Sequence, residues 1–260
     1  MGLRRQSVDR RGARVLGAFI DAVEWPTALA RISDWATRRE SRYVCICNVH
    51  SVVTATQDHE FQGLLNAADM ATPDGMPVAW MLRRLGYTGQ ERISGADLMW
   101  KYCDRVARGS ESVFLYGSTD TTLRLLSQKL KVTFPGLRIA GTCSPPFREL
   151  SEAEDQEIVD SLNRSGAGVV FVGLGCPKQE KWMAAHGGRV RAVMIGVGAA
   201  FDYHAGTIKR APLWMQHSGL EWLHRLCSEP RRLWKRYLVT NTLFLLGASR
   251  QLLSGSAKHR

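Results

Sequence analysis

The feature that most constrains this chain is the regular alternation of short apolar runs and helical stretches between residues 112 and 198. In the helical stretches apolar residues recur every three or four positions, as in Leu123, Leu126 and Leu130. This alternation is typical of a parallel sheet with helices on both faces. The sequence therefore predicts an α/β fold with a Rossmann-like, mostly parallel sheet. The predicted strands are Tyr43–Cys47, Val113–Tyr116, Leu137–Ala140, Val169–Gly173 and Val193–Gly198.

The chain divides by composition into three parts. Residues 1–14 are rich in arginine and are predicted to be a disordered basic arm. Residues 15–205 are predicted to form the α/β domain. Residues 206–260 are predicted to form a helical appendage rich in basic and aromatic residues, because Trp, Leu and Arg recur there at helical spacing.

The charge of the chain indicates an anionic partner. The formal net charge is +11, and residues 206–260 hold ten Lys and Arg but only two acids, Glu221 and Glu229. Because the basic residues are interleaved with Trp and Leu, they favour an anionic membrane surface or a diphosphate over nucleic acid. No stretch reaches the roughly 18–20 apolar residues of a spanning helix. The six cysteines form no CxxC pair, which favours a reducing compartment. We therefore expect a cytoplasmic protein, peripherally associated with the inner face of the plasma membrane and not bound to nucleic acid.

Gly173 and Gly175 follow a predicted strand and precede a predicted helix that begins near Pro177. Glycines let backbone N–H groups approach an anion, and a helix N-terminus carries partial positive charge. The segment is neither GxGxxG nor a P-loop. It predicts a phosphate or nucleotide site, and an ordinary tight turn between strand and helix remains the alternative.

Asp74 lies between Pro73 and Gly75, two residues that shape the backbone on either side of its carboxylate. A carboxylate held in place is what a general base requires. The alternative is a solvated aspartate that stabilises its own turn. The sequence contains no DxD pair, no HExxH and no Ser–His–Asp order, so we expect no bound metal and no hydrolase chemistry.

Taken together, the ordered motifs of this chain resemble the WecG/TagA/CpsF family, glycosyltransferase family 26. The resemblance runs from about residue 43 almost to the C-terminus. The segments that carry it are Asn48–His50, Ala68–Gly75, Glu91–Met99, Phe114–Gly117, Gly173–Glu180, Gly196–Asp202, Gly206–Pro212, Glu221–Leu226 and Glu229–Tyr237.

The resemblance implies an inverting glycosyltransferase that needs no bound metal or other cofactor. Such an enzyme moves a hexose, N-acetylmannosamine or glucose, from a UDP-sugar to a polyprenyl-diphosphate-linked saccharide in cell-surface polysaccharide biosynthesis. Residues 15–205 would then be the catalytic domain, and residues 206–260 would contact the membrane and close the active site. An oligomer is compatible with this interpretation.

The resemblance also implies roles for individual residues. Asp74 matches the family's proposed catalytic base. The residues that match its substrate-binding positions are Asn48, Arg92, Gln179, Asp202, the glycines Gly173 and Gly175, and the basic residues Arg225, Arg232 and Lys235, of which the last three would meet the diphosphate of UDP. Lys235 stands where arginine is usual in the family, and Ile46 where threonine is common.

Two alternatives remain open from the residues alone. One is a nucleotide-binding oxidoreductase of the Rossmann type, which predicts GxGxxG after the first strand and an acid about 20 residues later. The other is a non-catalytic protein that binds UDP or another nucleotide.

Overall fold

A computed structural model describes residues 10–256, with side chains as far as Ser254. The strands are β1 (Gly12–Val15), β2 (Ala18–Asp21), β3 (Arg42–Cys47), β4 (Met70–Pro73), β5 (Ser112–Gly117), β6 (Arg138–Cys143), β7 (Val169–Gly173) and β8 (Val193–Gly196). The helices are α1 (Trp25–Thr37), α2 (Val49–Gln57), α3 (His59–Ala67), α4 (Met76–Arg84), α5 (Gly95–Val106), α6 (Asp120–Thr133), α7 (Glu152–Ser165), α8 (Lys178–Ala185), α9 (Ala200–Ala205), α10 (Leu213–His217), α11 (Glu221–Ser228) and α12 (Pro230–Ser256).

Strands β3 to β8 form one six-stranded sheet in the order β4-β3-β8-β7-β5-β6. Every neighbouring pair in this sheet is parallel. The predicted α/β fold is therefore confirmed. Because all six strands run the same way, the loops that follow them emerge at one edge of the sheet, where ligands bind in open α/β folds.

Helices cover both faces of the sheet, and the side chains of β3 show how the two cores are separated. Val44 and Ile46 pack in a core with α1, α5, α6 and α9. Cys45 and Cys47 point to the opposite core, which includes side chains of α2, α3, α4 and α8. Successive residues of a strand face opposite sides, so a strand buried on both faces is apolar throughout. The predicted strand at Tyr43–Cys47 owes its continuous apolar run to this burial.

The prediction that residues 1–14 form a disordered arm is wrong for residues 10–14, which are ordered. Residues 1–9 lie outside the described residues. Gly12–Val15 is strand β1 and pairs antiparallel with β2. Arg10 explains why this basic segment is ordered: its guanidinium donates to Asp21 Oδ2 at 2.7 Å and to the Ala68 carbonyl at 2.6 Å. The prediction of disorder rested on the basic charge of this segment, but the charge of Arg10 is neutralised by the buried carboxylate of Asp21.

The segment from Val52 to Ala68 has helical periodicity but contains two helices, because Asp58 ends α2 and caps α3 by accepting from the Phe61 N–H at 2.9 Å. Thr72 and Pro73 complete the buried strand β4, so the chain turns only after Pro73.

The C-terminal segment, residues 206–256, packs on the domain that precedes it. Phe244 and Ala248 on α12 are each 3% exposed and join the core beside α2. Near the end of α12, the Gln251 side chain accepts from the Leu16 N–H at 2.9 Å and donates to the Arg14 carbonyl at 2.6 Å. The C-terminal helix is therefore fixed to the β1–β2 hairpin.

Four charged side chains join the start of this segment to the domain. Arg210 donates to Asp97 Oδ1 at 2.6 Å and to Glu221 Oε1 at 3.1 Å. Arg92 donates to Glu221 Oε2 at 2.7 Å and to Asp97 Oδ2 at 3.3 Å. Arg92 and Asp97 belong to the domain, whereas Arg210 and Glu221 belong to the C-terminal segment. We call these four residues the ion network. Burial raises the pKa of Asp97, but hydrogen bonds from Arg210 and Ser94 outweigh it and hold this pKa at about 2.

Arg210→Met should weaken the docking of the C-terminal segment. We expect the free energy of unfolding at pH 7 to fall by about 1–3 kcal/mol, because a hydrogen-bonded charge pair is lost. A depressed folded-state pKa stabilises the protein above the ordinary pKa of aspartate, and this contribution disappears as the pH falls toward 2. The difference between the two proteins should therefore shrink below pH 4 in urea denaturation.

Lys209→Met is the matched control, since Lys209 is the exposed neighbour of Arg210. Equal losses from both substitutions, or a difference that does not change with pH, would contradict this role of Arg210.

Candidate active site

The side chains that the sequence singled out meet at the carboxyl edge of the sheet. Asp74 follows β4 and Asn48 follows β3, whereas Asp202 and Gln179 lie on α9 and α8, which follow β8 and β7. These four strands are neighbours in the sheet. The structure therefore brings Asn48, Asp74, Gln179 and Asp202 to the same edge.

Asp74 is held by its backbone. Its N–H donates to the Cys47 carbonyl at 2.9 Å, and the preceding carbonyl, of Pro73, accepts from the Ile93 N–H at 2.9 Å. Gly75 follows with φ of 80°, a left-handed conformation that glycine adopts without strain, and is the N-cap of α4. The backbone on both sides of Asp74 is therefore fixed, and the carboxylate also accepts a hydrogen bond from the Gly75 backbone, as the alternative of a turn-stabilising aspartate predicts.

Burial raises the pKa of Asp74 to about 6. Arg92 opposes this shift, while the carboxylates of Glu221 and Asp97 add to it. The result is a carboxyl group that changes protonation close to neutral pH, which is the range in which a general base works well. Arg92, predicted to bind substrate, also belongs to the ion network, and its side chain is only 12% exposed.

Gly173 and Gly175 have different surroundings. A Cβ at Gly173 would lie 2.7 Å from the ring of Phe201, so this glycine allows close packing of α9 on the sheet. Gly175 has φ of 77° and open space at its Cβ position. Its N–H donates to Gln179 Oε1 at 3.2 Å. Only Gly175 therefore leaves room for a ligand.

Gln179 is 4% exposed, and its Nε2 donates to Glu180 Oε1 at 2.9 Å. Glu180 is the last residue of the Gly173–Glu180 motif, but it was not predicted to be a functional residue. It is 1% exposed, and burial raises the pKa of its carboxyl group. Both side chains therefore lie beneath the site and stabilise the loop at Gly175.

Asn48 and Asp202 are both half-buried and already partnered. Asn48 Oδ1 caps α2 by accepting from the Ser51 N–H at 3.1 Å. Asp202 accepts from the Thr207 hydroxyl at 3.3 Å, and burial raises the pKa of its carboxyl group. Arg225 and Arg232 oppose this shift, so both lie within electrostatic range of Asp202.

The three predicted basic residues of the C-terminal segment do not share one environment. Arg225, on α11, has a buried Nε without a hydrogen-bond partner in the described structure. Arg232 is 61% exposed and pairs with Glu229 at 2.5 Å. Lys235 is exposed on the outer side of α12. The structure therefore places only Arg225 on the inner side, facing the sheet edge.

His50 and Arg236 were missed as site residues. Arg236 Nε and His50 Nδ1 are buried without hydrogen-bond partners in the part of the chain that the structure describes. Burial lowers the pKa of His50 to about 4, and the nearby charges of Arg236 and Arg225 add to this effect. The helical register of α12 could have revealed Arg236, because it follows buried Leu233 by three residues and precedes buried Thr240 by four.

Two surface depressions elsewhere contain none of these residues. One of about 280 Å³ lies between Cys143 and Ile158, and one of about 440 Å³ lies between Arg124 and Ile139. Both lie beside β6, the outermost strand at the side of the sheet away from β4. Within residues 10–256 no group of three or more His, Cys, Asp or Glu side chains is arranged to hold a metal ion, and no helix there is long and apolar enough to cross a bilayer.

Comparison with known proteins identifies the family. Residues 13–258 match the model of the glycosyl transferase WecG/TagA/CpsF family. Two relatives, from Bacillus spizizenii strain W23 and Bacillus subtilis strain 168, are each 30% identical to this chain. The matches cover 77% of this chain and 76% of the first relative, and 86% of this chain and 82% of the second. Both are named N-acetylglucosaminyldiphosphoundecaprenol N-acetyl-beta-D-mannosaminyltransferase. The chain is thus a glycosyltransferase and belongs to the WecG/TagA/CpsF family.

Proposed function

We propose that this glycosyltransferase moves a hexose from a UDP-sugar to a polyprenyl-diphosphate-linked saccharide, with inversion at the anomeric carbon. N-acetylmannosamine is the favoured sugar over glucose, because both relatives are named as N-acetylmannosaminyltransferases. Those names also favour an undecaprenyl-diphosphate acceptor that carries N-acetylglucosamine. Because the chain belongs to a glycosyltransferase family, the alternative of a nucleotide-binding oxidoreductase is excluded.

The observation that carries this proposal is the carboxyl group of Asp74 at the carboxyl edge of the sheet, with a pKa that burial raises to about 6. The Asp74 carboxylate takes the proton from an acceptor hydroxyl as that oxygen attacks the anomeric carbon. The bond to the diphosphate breaks, and UDP leaves. A single displacement on an α-linked donor gives a β-linked product, as in the names of the relatives.

Negative charge develops on the leaving diphosphate and must be met by positive groups or backbone N–H groups. The buried Nε of Arg225, which has no hydrogen-bond partner within the described residues, supports this role. Arg232 and Lys235, the other two cations predicted for it, are exposed on α12. Asn48, Arg92 and Asp202 bind the substrates. Gln179 acts from beneath by holding the loop at Gly175, where the open space at the Cβ position admits a ligand. No step in this proposal requires a metal ion.

A panel of UDP-sugars tests the reaction class. We expect UDP release in the presence of EDTA with UDP-N-acetylmannosamine, and only when a short-chain polyprenyl-diphosphate N-acetylglucosamine acceptor is added. UDP-glucose is the alternative donor in the panel. A folded protein that releases UDP from no donor, or only after a divalent metal is added, would contradict the proposal.

Asp74→Asn tests the base. Loss of a general base typically lowers turnover by about 10²–10⁴-fold, and UDP binding should change little because the substitution keeps the side-chain shape. In the unaltered enzyme kcat/KM should rise with pH through about 6, because only ionised Asp74 accepts a proton. Asp34→Asn, at an exposed position on α1, is the control. Near-normal turnover of Asp74→Asn would exclude Asp74 as the base.

The outer face of α12 supports a membrane as the second partner. Large apolar side chains point outward there, among them Trp234, Leu238, Leu245 and Leu246, which are 53–66% exposed. Basic residues lie beside them: Arg231, Arg232 and Lys235. Aromatic and aliphatic side chains with flanking cations suit the headgroup region of an anionic bilayer. We propose that this face places the protein on the inner surface of the plasma membrane, where its acceptor is embedded.

The pair of substitutions Leu245→Glu and Leu246→Glu should abolish binding to phosphatidylglycerol vesicles in a sedimentation assay, while UDP binding is retained. Val132→Glu is the control, since Val132 is 80% exposed on α6, away from this face. Equal vesicle binding by all three proteins would contradict the assignment of the outer face.

A further inference from the structure

Three buried polar atoms without partners come together from three helices. They are His50 Nδ1 on α2, Arg225 Nε on α11 and Arg236 Nε on α12. In the described structure none of them has a hydrogen bond. Buried polar groups are nearly always paired, so a cluster of such groups indicates a ligand that completes it.

The cations of this cluster have few acidic partners within the described residues, and Asp202 acts on Arg225 only at longer range. The carboxylate that pairs with Arg225 is Glu229, at 3.9 Å, and Arg232 shares it at 2.5 Å. Arg236 lies over the ring of Tyr237 at 5.5 Å and forms no ion pair with a carboxylate within the described residues. A partly buried cation without a counter-ion is unfavourable, so the missing partner is an anion.

His50 adds a donor to this cluster without adding charge. Its pKa is lowered to about 4 by burial and by Arg236 and Arg225, so the imidazole is neutral at neutral pH. A neutral imidazole carries one N–H, which can donate to an oxygen of an anion. The position of His50, two residues after Asn48 at the end of β3, puts this donor beside the carboxyl edge of the sheet.

We propose that His50 and Arg236, together with Arg225, bind a diphosphate group, with His50 Nδ1–H and Arg236 Nε–H each donating to a diphosphate oxygen. The inference rests on the proposed function in that both substrates of the reaction carry a diphosphate: the nucleotide sugar and the lipid-linked acceptor. It adds two ligands that the motifs did not assign, and it makes Arg236 rather than its exposed neighbour Lys235 the inner cation of α12.

Substitutions at the two positions test the inference with free UDP and inorganic pyrophosphate as probes in calorimetry. We expect His50→Phe and Arg236→Met each to weaken binding of a diphosphate by about 10- to 100-fold, the range for a lost hydrogen bond to a charged group. His50→Asn should retain binding close to that of the unaltered protein, because its amide nitrogen occupies the place of Nδ1. His50→Gln, which mimics Nε2 instead, should not.

The controls are the same exchanges at exposed positions. His59→Phe on α3 and Arg250→Met on α12 should leave pyrophosphate and UDP binding unchanged. If UDP binding is retained in His50→Phe and Arg236→Met but the KM for the acceptor rises about 10-fold or more, as expected for a lost charged hydrogen bond, the diphosphate is that of the acceptor.

Failure of this inference is distinguishable from failure of the proposed function. Unchanged UDP binding, pyrophosphate binding and acceptor KM in both variants, with melting temperatures like that of the unaltered protein, would overturn the inference while the transfer reaction stands. If the unaltered protein transfers no sugar but binds pyrophosphate, and the two variants bind it more weakly, the proposed function fails and the anion site remains.

Discussion

The ion network of Arg92, Asp97, Arg210 and Glu221 is the interaction on which the candidate site depends. It fixes the start of the C-terminal segment to the domain, with contacts of 2.6–3.3 Å. Its members also adjust the pKa of Asp74: burial is the main cause that raises this pKa, Arg92 lowers it, and Glu221 and Asp97 raise it further. The same side chains therefore hold the segment in place and adjust the base.

In the candidate site, the carboxyl group of Asp74 and the cationic side chains come from different elements of the fold. Asp74 lies after β4 at one side of the carboxyl edge, and the unpaired groups of His50, Arg225 and Arg236 converge from three helices. Sugar transfer removes a proton at one atom and releases negative charge at another, and an arrangement built before the substrates arrive needs little reorganisation during the reaction. A buried base and unpaired buried cations are costly for folding alone, and functional sites are where such costs are found.

The sheet and most of its helices could be predicted because their signals are local. Val169–Gly173 and Val193–Gly196 are apolar runs bounded by breakers, and the capping box of Ser151 and Glu154 has a local sequence signature. Asp74 could be singled out because Pro73 and Gly75 flank it, but its role as a base was implied only by the resemblance to the family. The β1–β2 hairpin and the ion network could not, because Arg10 and Arg210 find their acids only in three dimensions. His50 and Arg236 were not predicted for a similar reason. Only the folded structure shows that their side-chain nitrogens are buried together, without hydrogen-bond partners in the described residues.

The hydrogen bonds of Gln251 to Leu16 and Arg14 join residues near opposite ends of the sequence, so they can form only late in protein synthesis. The Leu16 N–H and the Gln251 side chain that accepts it are 235 residues apart. At about 5–20 residues per second, the segment after residue 205 leaves the ribosome roughly two to ten seconds after the sheet is complete. The nascent chain therefore contains all six strands and Asp74 before Arg225 and Arg236 are added. The C-terminal helix is the last element to be synthesised, and it can dock on the β1–β2 hairpin only when almost the whole chain has been made.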